Sequence, residues 1–301
     1  MKYGLKPKTY DPRDKAFEFQ RLFGSINPLG LPDEYDADNG ITMPDQNADG
    51  AYYECSAYLV ADMCLDEDGQ EYSPDYNFMK SLQIANLPPN NQGVDLKSAF
   101  KVPCTFGLLP KKLAPFSTNS FGETYAADQK NWPLSYDAEA VKNVKPGYFG
   151  INGYYDFFDN ARSAMWIAKN EKRTVGIGIT WYGEFETTGP SGLCPDNPAY
   201  AGGGHAAKIS GWTKHNIRGE LIRAGEIFLK IKSWQGKKVG DNGWLYFSRP
   251  LINKLMADWG SDARMIAKTD DGTIEALKAR KVTFLEVIQA YFKNLAIALT
   301  H

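Results

Sequence analysis

The patterning of the chain changes half-way along its length, and that change limits the fold more than any single residue. In the first half apolar residues recur at helical spacing. The clearest run is Cys55-Ser56-Ala57-Tyr58-Leu59-Val60-Ala61-Asp62-Met63-Cys64-Leu65, closed by Asp66-Glu67-Asp68-Gly69. Further helices are predicted over Pro74 to Ala85, Leu96 to Phe100 and Asp156 to Lys169, and residues 103–146 read as loop-rich. Beyond them β-like runs take over: Val175 to Trp181, Ala206 to Trp212, Glu226 to Lys232 and Trp244 to Phe247, separated by glycines and polar turns. Helices first and antiparallel-looking strands second make an α+β pattern with two unlike lobes. Ahead of both, segments such as Asn27-Pro28-Leu29-Gly30-Leu31-Pro32 read as extended loop.

Size and composition agree with a packed globular chain. The 301 residues suit one large domain or two modest ones, and 17 Tyr, 16 Phe and 7 Trp supply a sizeable core. With 34 basic and 36 acidic residues the net charge is −2, too small a field to recruit nucleic acid or an anionic membrane non-specifically. No run of eighteen apolar residues suggests a membrane span. Met1-Lys2-Tyr3-Gly4-Leu5-Lys6-Pro7 lacks the apolar stretch of a signal peptide, so a reducing, cytoplasmic setting is expected. The four cysteines, Cys55, Cys64, Cys104 and Cys194, form no CxxC pair and read as free thiols.

The last fifty residues look separate. A helix is predicted from Thr273 to Leu299, with Leu285, Ile288, Phe292, Leu295 and Leu299 along a heptad-like seam. It is shorter than a coiled coil needs. It reads first as a helix docked on its own domain, and otherwise as a surface for self-association or docking to a larger assembly.

Two residues invite chemistry. Cys55 opens the strongest helix, where partial positive charge and unpaired N–H groups favour a thiolate and lower its pKa. Position alone reads more readily as an ordinary semi-buried cysteine. His205 follows Gly202-Gly203-Gly204 at the entry to a predicted buried strand, where glycines admit a ligand or another backbone. A helix-opening Cys and a distant His fit the rule that a catalytic Cys–His pair is far apart in sequence and adjacent in space.

Several blocks then match one family in order. Gly4-Leu5-Lys6-Pro7 with Asp11-Pro12-Arg13-Asp14, Met43-Pro44-Asp45-Gln46 followed by Glu54-Cys55-Ser56-Ala57-Tyr58, Gly203-Gly204-His205-Ala206, and Ile231-Lys232-Ser233-Trp234 with Gly240-Asp241-Asn242-Gly243-Trp244-Leu245-Tyr246 stand along residues 4 to 252. In this the chain resembles the papain-like cysteine peptidases, in a bacterial and phage branch with a short N-terminal segment. The resemblance implies a two-lobe fold, with a helical lobe carrying Cys55 and a β-barrel-like lobe carrying His205. It divides the chain into an N-terminal arm (1–42), a helical lobe (about 43–145), a β lobe (about 146–252) and a C-terminal helical extension (253–301). It makes Cys55 the nucleophile, His205 its base and then acid, and Gln46 an oxyanion donor beside the Cys55 backbone N–H. Trp234 would shield the histidine from water, and Gly93, in Gln92-Gly93-Val94-Asp95, would lie along the substrate backbone.

The chain departs from that pattern in three places. Lys232 stands where the family has asparagine, and lysine has three donors and no acceptor for an imidazole N–H. Gln235 or a backbone carbonyl would have to substitute. The Gln46-to-Cys55 loop is longer than usual and ends in Tyr53-Glu54, which would narrow the cleft or raise the thiol pKa through a nearby negative charge. Ser56 replaces the family's tryptophan. Asp45, Asn47 and Asp49 fit the start of a calcium loop, but its twelfth position is Ser56 rather than glutamate. A polar turn closed by Asp49-Gly50 is the simpler reading, and no metal or other cofactor is expected.

The function expected from these residues is hydrolysis of peptide bonds in a peptide or protein substrate. The alternative is a catalytically weakened papain-fold component of a larger assembly such as a phage particle, which would place the chain in a virion. Latency through a removable N-terminal domain is not expected, because the residues before Cys55 match the mature branch.

Overall fold

Every residue from Cys55 to Asp66 is buried in helix α2 (Cys55–Asp68), which therefore has no solvent face. The computed structural model describes residues 4–8, 18–40, 42–114, 132–151, 156–214, 225–258 and 260–267. Helix α2 ends where Gly69 takes a left-handed conformation (φ 74°) and returns its N–H to Leu65. Two helices lie beside it. Helix α3 (Pro74–Ile84) starts at Ser73, whose hydroxyl accepts the Tyr76 N–H, with Pro74 in the first turn. Helix α4 (Leu96–Thr105) is capped by Asp95 onto Ser98. It runs past the predicted end at Phe100, through Pro103, because Leu96, Ala99, Phe100 and Val102 pack into the core. A short helix, Ser135–Ala140, lies in the segment that reads as loop, and residues 115–131 are outside the described residues.

The second half forms a sheet in the order β4 (Gly147–Gly150), β9 (Asp262–Ala267), β5 (Val175–Tyr182), β6 (Ala201–Thr213), β7 (Phe228–Lys232) and β8 (Trp244–Phe247), with β2 (Tyr35–Asp36) also on β6. The pairings of β5, β6, β7 and β8 are antiparallel, as the alternating turns and apolar runs imply. In the β5–β6 register Ile179 stands opposite His205. Gly176 lets the layers approach: a Cβ there would meet Leu59 of α2 and Phe100 of α4 at 2.9 Å.

The main unit runs to Ile266, and strand β9 pairs with β5 at Gly176↔Arg264. Its sequence, Asp-Ala-Arg-Met-Ile-Ala, lacks the β-branched run that marks the other strands, yet all six residues are buried. Residues 267–301 are a second unit, and the predicted helix 273–299 lies outside the described residues. Among the described residues no helix is long and apolar enough to cross a membrane.

Candidate active site

The start of α2 brings Cys55 to strand β6. Backbone N–H groups of Ala206, Gly4, Ser56 and Cys55 itself lie near enough to the sulfur to favour its thiolate. Ala206 follows His205 in strand β6, so the sulfur stands near the backbone that carries His205. The expectation of a lowered thiol pKa is corrected here. Cys55 is fully buried, and loss of solvation outweighs the N–H groups and pushes the thiol up to about 11. His205 is also fully buried, its ring tilted against Trp181 at 4.6 Å between centroids, and burial pulls its pKa down to about 3. Both groups are neutral in this state at ordinary pH.

Gln46 lies beside them. Its backbone N–H donates to the Trp234 carbonyl at 3.0 Å. Its side-chain amide is buried, and neither amide atom has a partner among the described residues. Trp234 is buried in the same cluster as Cys55 and Ala206, and its indole N–H donates to the Ala206 carbonyl at 2.7 Å. It braces the strand that carries His205.

The chain's own N-terminal segment fills the space between the helices and the sheet. Strand β1 (Leu5–Lys6) pairs in parallel with β3 (Val94–Asp95), and the Val94 N–H donates to the Gly4 carbonyl at 2.8 Å. Gly93 (φ 92°) is where this contact demands glycine, because a Cβ there would lie 1.5 Å from the Gly4 oxygen. In this structure Gly93 lies against the chain's own Gly4 backbone. On the sheet side Leu5 rests on β5 and β6: a Cβ at Gly178 would meet its side chain at 2.7 Å, and one at Gly204 its carbonyl oxygen at 2.4 Å.

Lys232 takes another role. It is fully buried, and its ammonium reaches Asp38 at 3.1 Å and Asp62 at 3.0 Å. Lys208, opposite it in the β6–β7 register, reaches Asp38 at 2.7 Å, Asp66 at 2.5 Å and Asp62. Three carboxylates therefore face two ammonium groups inside the protein, joining α2 to two strands and to the arm. Burial raises Asp66 to about 6, whereas the two lysines hold Asp38 down at about 2 against its own burial. Asp62 and Asp66, four apart on a helix without a solvent face, were the available signal. These carboxylates also lie close enough to share a cation, but the lysines occupy that space.

Residues 45–50 form a polar turn. Asp45 accepts the N–H groups of Asn47 and Ala48 at 3.0 and 3.1 Å, and Asp49 accepts the Tyr58 hydroxyl at 2.8 Å. Gln235, one alternative acceptor for His205, accepts the Ser233 hydroxyl at 3.0 Å.

Solved structures share this architecture. Xylellain, a cysteine protease from Xylella fastidiosa, superposes with a TM-score of 0.69 at 17% identity, covering 89% of this chain and 96% of that one. The fold is that of the papain-like cysteine proteases. Procathepsin B S9 from Trypanosoma congolense (TM-score 0.56, 14% identity, 88% and 82% covered) has the same papain-like fold. So does the ragweed pollen cysteine protease Amb a 11 in its proform (TM-score 0.57, 16% identity, 83% and 72% covered). No protein-family model matches the sequence, and no curated protein matches it significantly.

Proposed function

We propose that the chain is a thiol peptidase that cleaves peptide bonds through an acyl-enzyme on Cys55, and that its own residues 4–6 occupy the cleft in the form described. The reading rests above all on Cys55 at the start of α2, packed in one buried cluster with Ala206, the residue beside His205. Papain-fold proteases among the similar structures support it at the level of reaction class.

With the segment displaced, water reaches the pair and the thiol can lose its proton to the imidazole. The sulfur attacks the carbonyl carbon, and the carbonyl oxygen takes the charge. The Cys55 N–H and the Gln46 side-chain amide would donate to that oxygen. The imidazolium returns its proton to the leaving amine. It then draws a proton from the water that cleaves the thioester. The buried Gln46 amide supports the oxyanion role, since a donor with no internal partner is free for a ligand.

A second reading, a papain-fold component with weak or no catalysis, draws on Lys232, whose ammonium is spent on Asp38 and Asp62. It also provides no acceptor for His205. An epoxide that alkylates catalytic thiols separates the two. Selective, His205-dependent labelling of Cys55 once the cleft is opened supports the peptidase. Equal labelling of Cys64 or Cys104 supports the second reading.

A further inference from the structure

Gly4 is buried, and backbone closes on it from two sides. On one side stands Tyr53, which comes shortly before Cys55 in the chain. A Cβ added to Gly4 would lie 1.9 Å from the Tyr53 carbonyl oxygen and 2.3 Å from the Tyr53 Cα. On the other side stands Gly93, where a Cβ would fall 2.5 Å from the Gly4 Cα. The obstructing atoms belong to backbone, so turning a side chain relieves neither contact. The Val94 N–H, donating to the Gly4 carbonyl at 2.8 Å, holds the segment at this level of the gap. The space between Tyr53 and Gly93 is therefore as wide as a bare backbone and no wider.

Tyr53 makes its wall in a left-handed conformation, with φ at 69°, which disfavours a residue that carries a Cβ. The residues around it are tied down. Before it, the Ala51 N–H donates to the Gln46 carbonyl at 2.8 Å, and Asp49 holds the Tyr58 hydroxyl of α2. After it, the Glu54 carbonyl accepts the N–H groups of Ala57 at 2.9 Å and Tyr58 at 3.0 Å. The wall cannot back away without loosening the first turn of the Cys55 helix. The gap also opens onto the candidate nucleophile: Leu5, the next residue of the segment, packs against the buried cluster that contains Cys55 and Ala206.

We infer that Tyr53 and Gly93 form a glycine-only passage beside Cys55, so that the peptide bonds this chain cleaves are those in which glycine supplies the carbonyl under attack. The inference rests on the peptidase reading and names its substrate. The Cys55 sulfur bonds to the glycyl carbonyl carbon as the bond from that carbon to the next residue's nitrogen breaks, and the thiol proton passes through His205 to the departing nitrogen. Water then splits the thioester, which restores the thiol and leaves a product ending in a glycine carboxylate. A larger residue would have to place its side chain where the Tyr53 backbone lies. The chain's own segment meets the same requirement with Gly4.

Gly4→Ala in the full chain tests the passage from inside. The added methyl has no room against Tyr53, so the segment should leave, and alkylation of Cys55 by iodoacetamide should quicken by roughly a hundredfold. Alkylation at the native rate would overturn the proposal. The opened variant is then offered two acetylated dipeptide chloromethyl ketones that differ only in the residue joined to the reactive group, glycine or alanine. Labelling is followed by peptide mass mapping. The glycine probe is expected to modify Cys55 roughly a hundredfold faster, and equal rates would be just as damaging. Should Gly4→Ala fold poorly, Leu5→Glu supplies an opened chain for the same two probes. A variant whose Cys55 takes iodoacetamide quickly, yet takes neither peptide probe in preference to Cys64, would sink the peptidase reading and the substrate with it. The passage would then stand only as a gate for the chain's own segment.

Discussion

Replacing Leu5 with glutamate puts the occupied cleft to a quantitative test. Leu5 sits where a Cβ on Gly178 or Gly204 would be, and the preceding Gly4 lies near the Cys55 sulfur. A charged side chain has no partner against these backbones, so the segment should leave. Cys55 would then regain water, and burial is the largest force on its pKa, which stands at about 11 against an ordinary 9.0. At pH 8 a thiol of pKa 11 is ionised in about one molecule in a thousand, and one of pKa 9 in about one in ten. Since the thiolate is the species that reacts, alkylation of Cys55 by iodoacetamide should accelerate by roughly a hundredfold. The rise should be larger still if the helix N-terminus then takes the pKa below its ordinary value. Rates against pH, with the modified residue located by peptide mass mapping, give both the midpoint and the site. Cys64, buried between helices, acts as the internal control and should stay slow. If Leu5→Glu alkylates at the native rate with the native midpoint, residues 4–6 are not what keeps the thiol neutral.

Further outcomes follow from the same contacts. Lys232→Asn, which restores the family's residue, should destabilise the fold by about 3–5 kcal/mol by leaving Asp38 and Asp62 short of a buried cation. A thermal melt that does not move would refute this. Gln46→Ala in the Leu5→Glu background should slow hydrolysis of a peptide ester by roughly a hundredfold or more while leaving the melting temperature unchanged or higher, because it removes a buried amide that bonds nothing internally. A matching loss of stability would show that Gln46 is structural. His205 is held neutral, so its contribution to stability is complete above its ordinary pKa of 6.5 and is lost as the pH falls toward about 3. Melts from pH 7 to 4 should decline more steeply for the native chain than for His205→Phe, and parallel slopes would argue against a buried neutral imidazole.

The sequence displayed what local chemistry decides. Helix α2, its glycine stop and the strands around His205 follow from apolar periodicity and turn residues, and the observed ends of α2 and β5 lie close to the predicted ones. Strand β9 was not legible, because a six-residue segment with arginine and aspartate in it becomes a strand only when β5 offers an edge. The site divides the same way. Placing a cysteine at a helix start is a local act, so Cys55 could be read. Its protonation state depends on which distant residues exclude water, so the expected pKa had the wrong sign.

Lys232 shows why a substitution at one aligned position says little until its partners are known. Read alone, lysine in place of an acceptor looks like damage to the histidine. In the fold it is one of five buried charged groups, and the other four, Asp38, Asp62, Asp66 and Lys208, come from the arm, from α2 and from β6. None of the five is tolerable alone, since an unpaired charge in the interior costs several kcal/mol. The exchange at 232 is thus tied to acids at 38 and 62, and the network fastens the arm to the faces of α2 and the sheet that meet behind Cys55. If peptidase activity is retained, orientation of His205 must come from packing such as that of Trp181, whose ring lies against it, rather than from a side-chain acceptor at position 232. Shortening Trp181 to leucine should then lower turnover in the opened enzyme far more than it lowers stability, whereas in an enzyme with an asparagine acceptor the same change would mainly loosen the core.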